Sequence, residues 1–191
     1  MYFVSGTPVW HMFVLGLVGL AMSAFMVVFE PYRIKRVLVA LNIIKDPMGI
    51  GYQVKQSLIT IGSGGIIGIG LGMSQQKFGN FLPQTMSDSI FAIFAEETGF
   101  IGCIILISLF IFFFFKCFRI AFKSHDKFSQ LFAIGMAVWI CLQAFINIGA
   151  MIQIFPLTGI PLPFISYGGS HILMELIGVG ILFNISKHNQ P

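Results

Sequence analysis

The chain has 191 residues, of which 57% are hydrophobic and only 9% charged, with a formal net charge of +4. A soluble globular domain carries roughly 25% charged residues, so this composition cannot build a water-facing surface and excludes a soluble enzyme or carrier. No compact basic run with interleaved aromatics occurs, which removes nucleic acid as a partner and leaves membrane lipid as the surrounding medium.

In chain order, the first long apolar run is Trp10 to Phe29, closed by Glu30-Pro31. About 20 apolar residues of helix cross a bilayer core, so a span is expected near 9–29. Residues 1–8 read as the tail of an earlier span. The run is too long, and lacks the basic start, for a cleavable signal peptide. A second run, FIGCIILISLFIFFFFKCF, sets a span near 99–118, with Lys116 able to snorkel at its end. From Phe128 to Met174 no residue carries a formal charge. Pro156, Pro161 and Pro163 cluster inside that stretch, and proline ends helices. The stretch therefore divides into spans near 129–152 and 166–185.

Between the first two spans lies the segment 30–98, which holds PYRIKR, DPMGIGYQ, the tract GSGGIIGIGLG and LPQTMSDS. A segment of this length without structure would be unusual. The stretch from Tyr52 to Met73 is apolar enough to lie at the interface or dip into the bilayer, but too glycine-rich for an ordinary spanning helix. Irregular backbone at membrane depth must be buried in protein or line a cavity. The expected fold class is all-α: one polytopic transmembrane helical bundle over 1–191, with about four full spans and a long loop bearing interfacial or re-entrant helices. The positive-inside rule weights short loops, which puts 119–127, with Arg119, Lys123 and Lys127, and the C-terminus in the cytoplasm and 30–98 outside. The basic PYRIKR stretch pulls the other way.

Few residues could carry chemistry. Asp88 stands at the start of the second long apolar helix. One interpretation is a helix N-cap, since Asp accepts from orphan N–H groups there. The other is a carboxylate at the membrane surface able to take a proton from a lipid-linked substrate. Glu96 and Glu97 either mark the interfacial start of the embedded helix or form a pair facing a wet cavity. Glu175 falls inside the last span, where an ionisable group is a functional candidate by default; the alternative is a glutamate protonated or paired with a neighbouring helix. Gln143 and Asn147, at i and i+4, suit interhelical hydrogen bonds. The glycine tract has the composition of a phosphate nest, although helix packing explains it as well. Cys103, Cys117 and Cys141 lie in apolar stretches as free thiols, and the four histidines show no ligand spacing.

Taken together, EPYRIKRV, DPMGIGYQVKQSLITIGSGGIIGIGLGMSQQKF, FLPQTMSDSIFAIFAEETGFIG, QAFINIG and PLTGIPLPFISYGGS, in that order, resemble the SEDS family (shape, elongation, division and sporulation proteins, FtsW/RodA/SpoVE). GLGMSQQKF is closer to the division (FtsW-like) branch. The match covers nearly everything from about 29 to 185, but it corresponds to the C-terminal portion of the family, whose members carry further spans on the N-terminal side. The chain is therefore expected to be part of a larger unit, incomplete in activity by itself.

The resemblance implies a glycosyltransferase that polymerises undecaprenyl-linked lipid II during cell division or cell-shape maintenance, in the bacterial plasma (inner) membrane at the septum. It implies a monofunctional class B penicillin-binding protein (a transpeptidase) and other divisome proteins as partners. The family's catalytic aspartate lies in LPExHTDFIFA, and the matching LPQTMSDSIFA puts Asp88 there. This chain departs from that motif at Gln84, Met86, Ser87 and Ser89. A pyrophosphate leaving group needs cationic stabilisation, for which Arg33, Arg36, Lys55 and Lys77 lie on the appropriate face, with Ser87 beside the substrate. A divalent cation, Mg or Mn, bridging the pyrophosphate is the one cofactor expected. A lipid-precursor flippase and a non-catalytic scaffold for a transpeptidase remain the competing functions.

Overall fold

The computed structural model describes residues 9–29, 34, 38–39, 50–74 and 88–188. Its helices are α1 (Val9–Phe29), α2 (Ile50–Ser63), α3 (Ile90–Lys123), α4 (Lys127–Met151) and α5 (Gly169–His188), and no strand occurs among the described residues. The protein is all-helical. Among the described residues, three helices, α3, α4 and α5, are long and apolar enough to cross a membrane. In α1, the described side chains are almost all exposed, Trp10 at 70% and Leu20 at 72% among them. Apolar side chains that face outward in this way suit lipid or other apolar protein as their surroundings.

The bundle is organised on α3. It packs most extensively against α4, while α2 lies along its first half and α5 leans more lightly on both α3 and α4. The core has two parts. Near Asp88, Val54 of α2 and Phe91 and Leu106 of α3 meet Ala144 and Met151 of α4 and Leu162 of the following loop. At the other end, Cys117 and Ala121 pack on Ala133, Ala137 and Ile140, with Leu182 of α5. Small side chains let membrane helices approach closely. Gly178 of α5 illustrates this, since any Cβ there would collide with the Met136 side chain. Cys103, Cys117 and Cys141 are free thiols, and Cys141 Sγ lies 3.5 Å from Phe110 O, joining α3 to α4. The turn into α4 is capped by Asp126, whose carboxylate accepts from Ser129 N at 3.0 Å. Those Ser129 hydrogen bonds hold the Asp126 carboxyl below the usual carboxylate range.

The sequence sets the second apolar span near 99–118, in a helix that starts at Asp88. The structure begins it at Ile90, and Gly99 (φ 67°, ψ −167°) is a break within it. In an uninterrupted helix Phe100 and Ile101 would donate to the carbonyls of Glu96 and Glu97. Instead, Phe100 N donates to Gly65 O at 2.9 Å and Ile101 N to Ile66 O at 3.2 Å. The stranded Glu96 and Glu97 carbonyls accept from Ile69 N at 3.0 Å and Gly70 N at 3.1 Å. The glycine-rich segment after α2 is thus inserted into the broken ladder, replacing the two lost rungs with four interchain-style bonds from within one chain. The composition that suggested a phosphate nest has a different use here: at least two of its N–H donors are consumed by α3. Glycine is required because the backbones touch. A Cβ on Gly64 would overlap Ala95 O, one on Gly68 would overlap Glu97 O, and one on Gly99 would overlap Gly68 N.

Candidate functional site

Asp88 precedes α3. The N-cap is Ser89, which makes no side-chain capping bond, so Asp88 lies one residue before the capping position considered for it. Its side chain is partly exposed, while Ser89 beside it is fully buried. What holds this point of the chain is Asn147 of α4. Its Nδ2 donates to Asp88 O at 3.0 Å and to Ile160 O at 2.7 Å, and the residue is 2% exposed. One buried amide therefore ties the start of α3 to the loop after α4, with α4 as the rigid support. Gly159 of that loop (φ +72°) passes the carboxylate so closely that a Cβ there would sit 3.2 Å from Asp88 Oδ2. From the other side, Gln53 of α2 approaches Ser89 Oγ at 3.5 Å. Asp88 is thus carried on a backbone fixed from α4, beside the 152–168 loop, and is partly exposed.

The loop itself is fixed by polar groups at membrane depth. Gln143 Nε2 donates to Pro161 O at 3.1 Å. Phe164 N, at a residue with φ 63°, donates to Glu175 Oε2 at 2.9 Å. His171 Nε2 lies 2.9 Å from Glu175 Oε1 and 2.8 Å from Gln143 Nε2; a single ring nitrogen serves one of these at a time. Glu175, completely buried, is therefore an anchor for the Pro-rich loop, which lies in its own polypeptide just before α5. Its partners are the loop and His171 of its own helix, where the sequence reading offered a neighbouring helix.

Glu96 and Glu97 do not form a pair facing water. Glu96 is 3% exposed, and its carboxylate takes the Ser74 hydroxyl on one oxygen and lies 3.2 Å from Ser63 Oγ on the other. Ser63 Oγ is also 2.7 Å from Thr60 O, and its one proton serves one acceptor at a time. Glu96 thus fastens both ends of the glycine-rich segment to α3. Lys55 lies on α2 and is exposed. Arg33, Arg36, Lys77 and Ser87, together with Gln84 and Met86, fall outside the described residues. The residues that sequence reasoning passed over are Gln53 and Gly159. It also valued Asn147 only as helix-to-helix glue, although its partners are two main-chain carbonyls of the site.

No group of three His, Cys, Asp or Glu side chains that could hold a metal occurs among the described residues. Near Asp88, Asn147 donates to the main-chain carbonyls of Asp88 and Ile160.

A bundle of apolar spans, with a broken helix spliced by a glycine segment and one carboxylate held at its mouth, defines a multi-pass membrane protein with a polar site at one end. The family follows from comparison: the sequence model of the cell cycle protein family (FtsW/RodA/SpoVE) matches residues 1–191, and the chain belongs to that family. It is 44% identical over 190 residues to stage V sporulation protein E of Bacillus subtilis, covering 100% of this chain and 52% of that protein. It is 42% identical over 186 residues to a probable peptidoglycan glycosyltransferase FtsW of Buchnera aphidicola, covering 96% of this chain and 52% of that protein. A solved peptidoglycan synthase complex, described as coordinating polymerization and crosslinking, contains a chain that matches at a TM-score of 0.70 and 27% identity, covering 98% of this chain and 52% of that one. A mutant of the rod shape determining protein RodA of Thermus thermophilus matches at a TM-score of 0.54 and 28% identity, covering 72% of this chain and 41% of that one. The chain spans about half the length of the curated relatives it matches.

Proposed function

We propose that this chain supplies the Asp88 end of a peptidoglycan glycosyltransferase that polymerises lipid II, and that Asp88 is its general base. The observation that carries the proposal is the way Asp88 is held: its main chain is fixed by Asn147, its carboxylate passes close to Gly159, and the residue is partly exposed. A hydroxyl is a poor nucleophile, so a base must accept its proton as attack proceeds. The 4-hydroxyl of the acceptor sugar attacks the anomeric carbon of the donor, its proton passes to the Asp88 carboxylate, and undecaprenyl pyrophosphate leaves with the bonding electrons. Asn147 holds Asp88 through its main-chain carbonyl, and orientation of this kind supplies much of catalysis.

Arg33, Arg36, Lys55 and Lys77 are proposed to stabilise the departing pyrophosphate, with Ser87 beside the substrate. If Mg or Mn takes part, it would arrive with the pyrophosphate oxygens, because the described residues offer no cage for it; no step depends on it here. The peptidoglycan synthase complex, described as joining polymerization to crosslinking, supports a transpeptidase of the class B penicillin-binding type as partner, alongside other divisome proteins. The proposed setting is the bacterial plasma membrane at the septum, with Asp88 outside and the C-terminus in the cytoplasm.

The test is Asp88→Asn in the complete protein, with any spans supplied by the rest of the polypeptide or by another chain. The amide keeps the side chain's size but cannot take a proton. Lipid II polymerisation should fall on the order of a hundred-fold or more, with unchanged membrane expression. Near-normal glycan synthesis would remove Asp88 from the chemistry and leave a flippase or a scaffold as the better description.

A further inference from the structure

At the end of the bundle opposite Asp88, α3 carries Lys116, Arg119 and Lys123. Spacings of three and four residues put side chains on one face of a helix. All three are exposed. They line the rim of a cavity of about 550 Å³ between α3 and α5. The inside of that cavity is apolar, formed by Phe112, Phe113 and Ile120 of α3 facing Val179, Leu182 and Phe183 of α5. A second apolar cavity of about 440 Å³ shares Phe112, Phe113 and Lys116 with the first and continues along α3 to Leu106, closed by Pro163 and Ile165. From Leu106 to Lys123 the helix rises about 26 Å, most of a hydrocarbon core about 30 Å thick. One groove therefore has a basic rim at the membrane face and a continuous apolar wall below it.

Among the described residues, no carboxylate forms an ion pair with Lys116, Arg119 or Lys123. The only ion pair among the described residues is His171–Glu175, at the far end of α5. Asp126, the one described carboxylate near this face, is engaged with Ser129 as the cap of α4. Lys116 Nζ stands 5.0 Å above the Phe112 ring, a cation–π contact that holds the ammonium over the groove. We infer that this groove is a binding site for an anionic phospholipid of the bilayer, with its phosphate among Lys116, Arg119 and Lys123 and an acyl chain along Phe112, Phe113 and Leu109. Charge complementarity selects this occupant. A further apolar helix laid in the groove would cover its wall and leave three cations without an anion. A neutral phospholipid would fill the wall and gain less at the rim, since each Lys or Arg near an anionic lipid surface contributes about 1 kcal/mol.

Native mass spectrometry of the complete protein, with any spans supplied by the rest of the polypeptide or by another chain, exchanged into micelles holding equal phosphatidylglycerol and phosphatidylcholine, tests the inference. Retained lipid should be mainly phosphatidylglycerol. The Lys116→Gln/Arg119→Gln/Lys123→Gln variant should lose about a hundred-fold in affinity, three contributions of about five-fold each. Lys127→Gln/Lys187→Gln, which removes charge from the same face outside the groove, should retain lipid as the parent does. Val179→Trp, which fills the groove and leaves all three cations, should also lose the bound lipid. Melting temperatures read on the same variants separate lipid loss from unfolding: phosphatidylglycerol should raise the parent's value and leave those of the triple and Val179→Trp variants unmoved. Equal retention of both lipids overturns the inference. So does retention by the triple variant, or retention by Val179→Trp, which would reduce the effect to surface charge alone.

Discussion

The splice at Gly99 can be tested by adding one methyl group. Gly99→Ala places a Cβ at φ 67°, ψ −167°, a region essentially reserved for glycine, at a cost of about 1–3 kcal/mol. That Cβ would also overlap Gly68 N and stand 2.6 Å from Ile66 O. These are main-chain atoms that no rotamer change can move aside. Overpacking of this kind adds about 1–3 kcal/mol, which brings the loss to about 2–6 kcal/mol. The chain could instead relieve the clash by pulling the glycine segment away. That route gives up four hydrogen bonds, two from Phe100 and Ile101 and two from Ile69 and Gly70, at about 0.5–1.5 kcal/mol each, and the loss is similar. Equilibrium unfolding in mixed detergent micelles measures it. Gly62→Ala is the control: nothing lies within 4 Å of its Cβ position, and it is in the last turns of α2. Alanine there should be neutral or stabilise by up to about 1 kcal/mol. If Gly99→Ala behaves as Gly62→Ala does, the two backbones are not in contact and the splice is refuted.

Two further outcomes follow from the same geometry. Asn147→Leu keeps an apolar volume but removes the donor to Asp88 O and Ile160 O; leaving two carbonyls unpaired should cost about 1–3 kcal/mol for each, and in the complete protein kcat should fall with KM little changed, whereas an equal loss from Gln143→Leu would show that loosening the loop, not positioning Asp88, is responsible. In a cysteine-free background, an impermeant thiol reagent applied to intact cells should label Thr158→Cys and spare His125→Cys, both exposed positions at opposite ends of α4; the reverse pattern would invert the proposed orientation.

How much of this was open to sequence reasoning depends on the range of each interaction. The apolar runs identify spanning helices because burial in lipid is a property of each residue, summed over about 20 of them. The three prolines between 156 and 163 mark the interruption for an equally local reason: proline removes a donor wherever it stands. Glu96 misled, because an acid near the start of an apolar run usually marks water. Here its carboxylate is enclosed by Ser63 and Ser74, 33 and 22 residues earlier, and no local pattern announces that enclosure. Asn147 was visible as a polar residue at membrane depth, yet its partner Asp88 O lies 59 residues away.

The splice was the least legible element, for a related reason. It is made by backbone N–H and C=O groups, which every residue but proline carries, so its only trace in the sequence is the absence of side chains at Gly64, Gly68 and Gly99. Such an absence permits close approach but does not name the partner. The two halves also depend on each other: the glycine segment has no reason to adopt its positive-φ course without the four freed groups of α3. Nor could α3 afford unpaired groups at Gly99, since each would carry a desolvation penalty of about 1–3 kcal/mol when buried. Each segment satisfies the backbone that the other leaves open. The break places Glu96 where two serines can reach it, and those serines tie the glycine segment and the end of α2 to the first half of α3. That half-helix carries Asp88 at its start. The site therefore rests on two independent anchors, Asn147 acting on Asp88 directly and the splice acting on the helix behind it, and a substitution in either should disturb it by a different route.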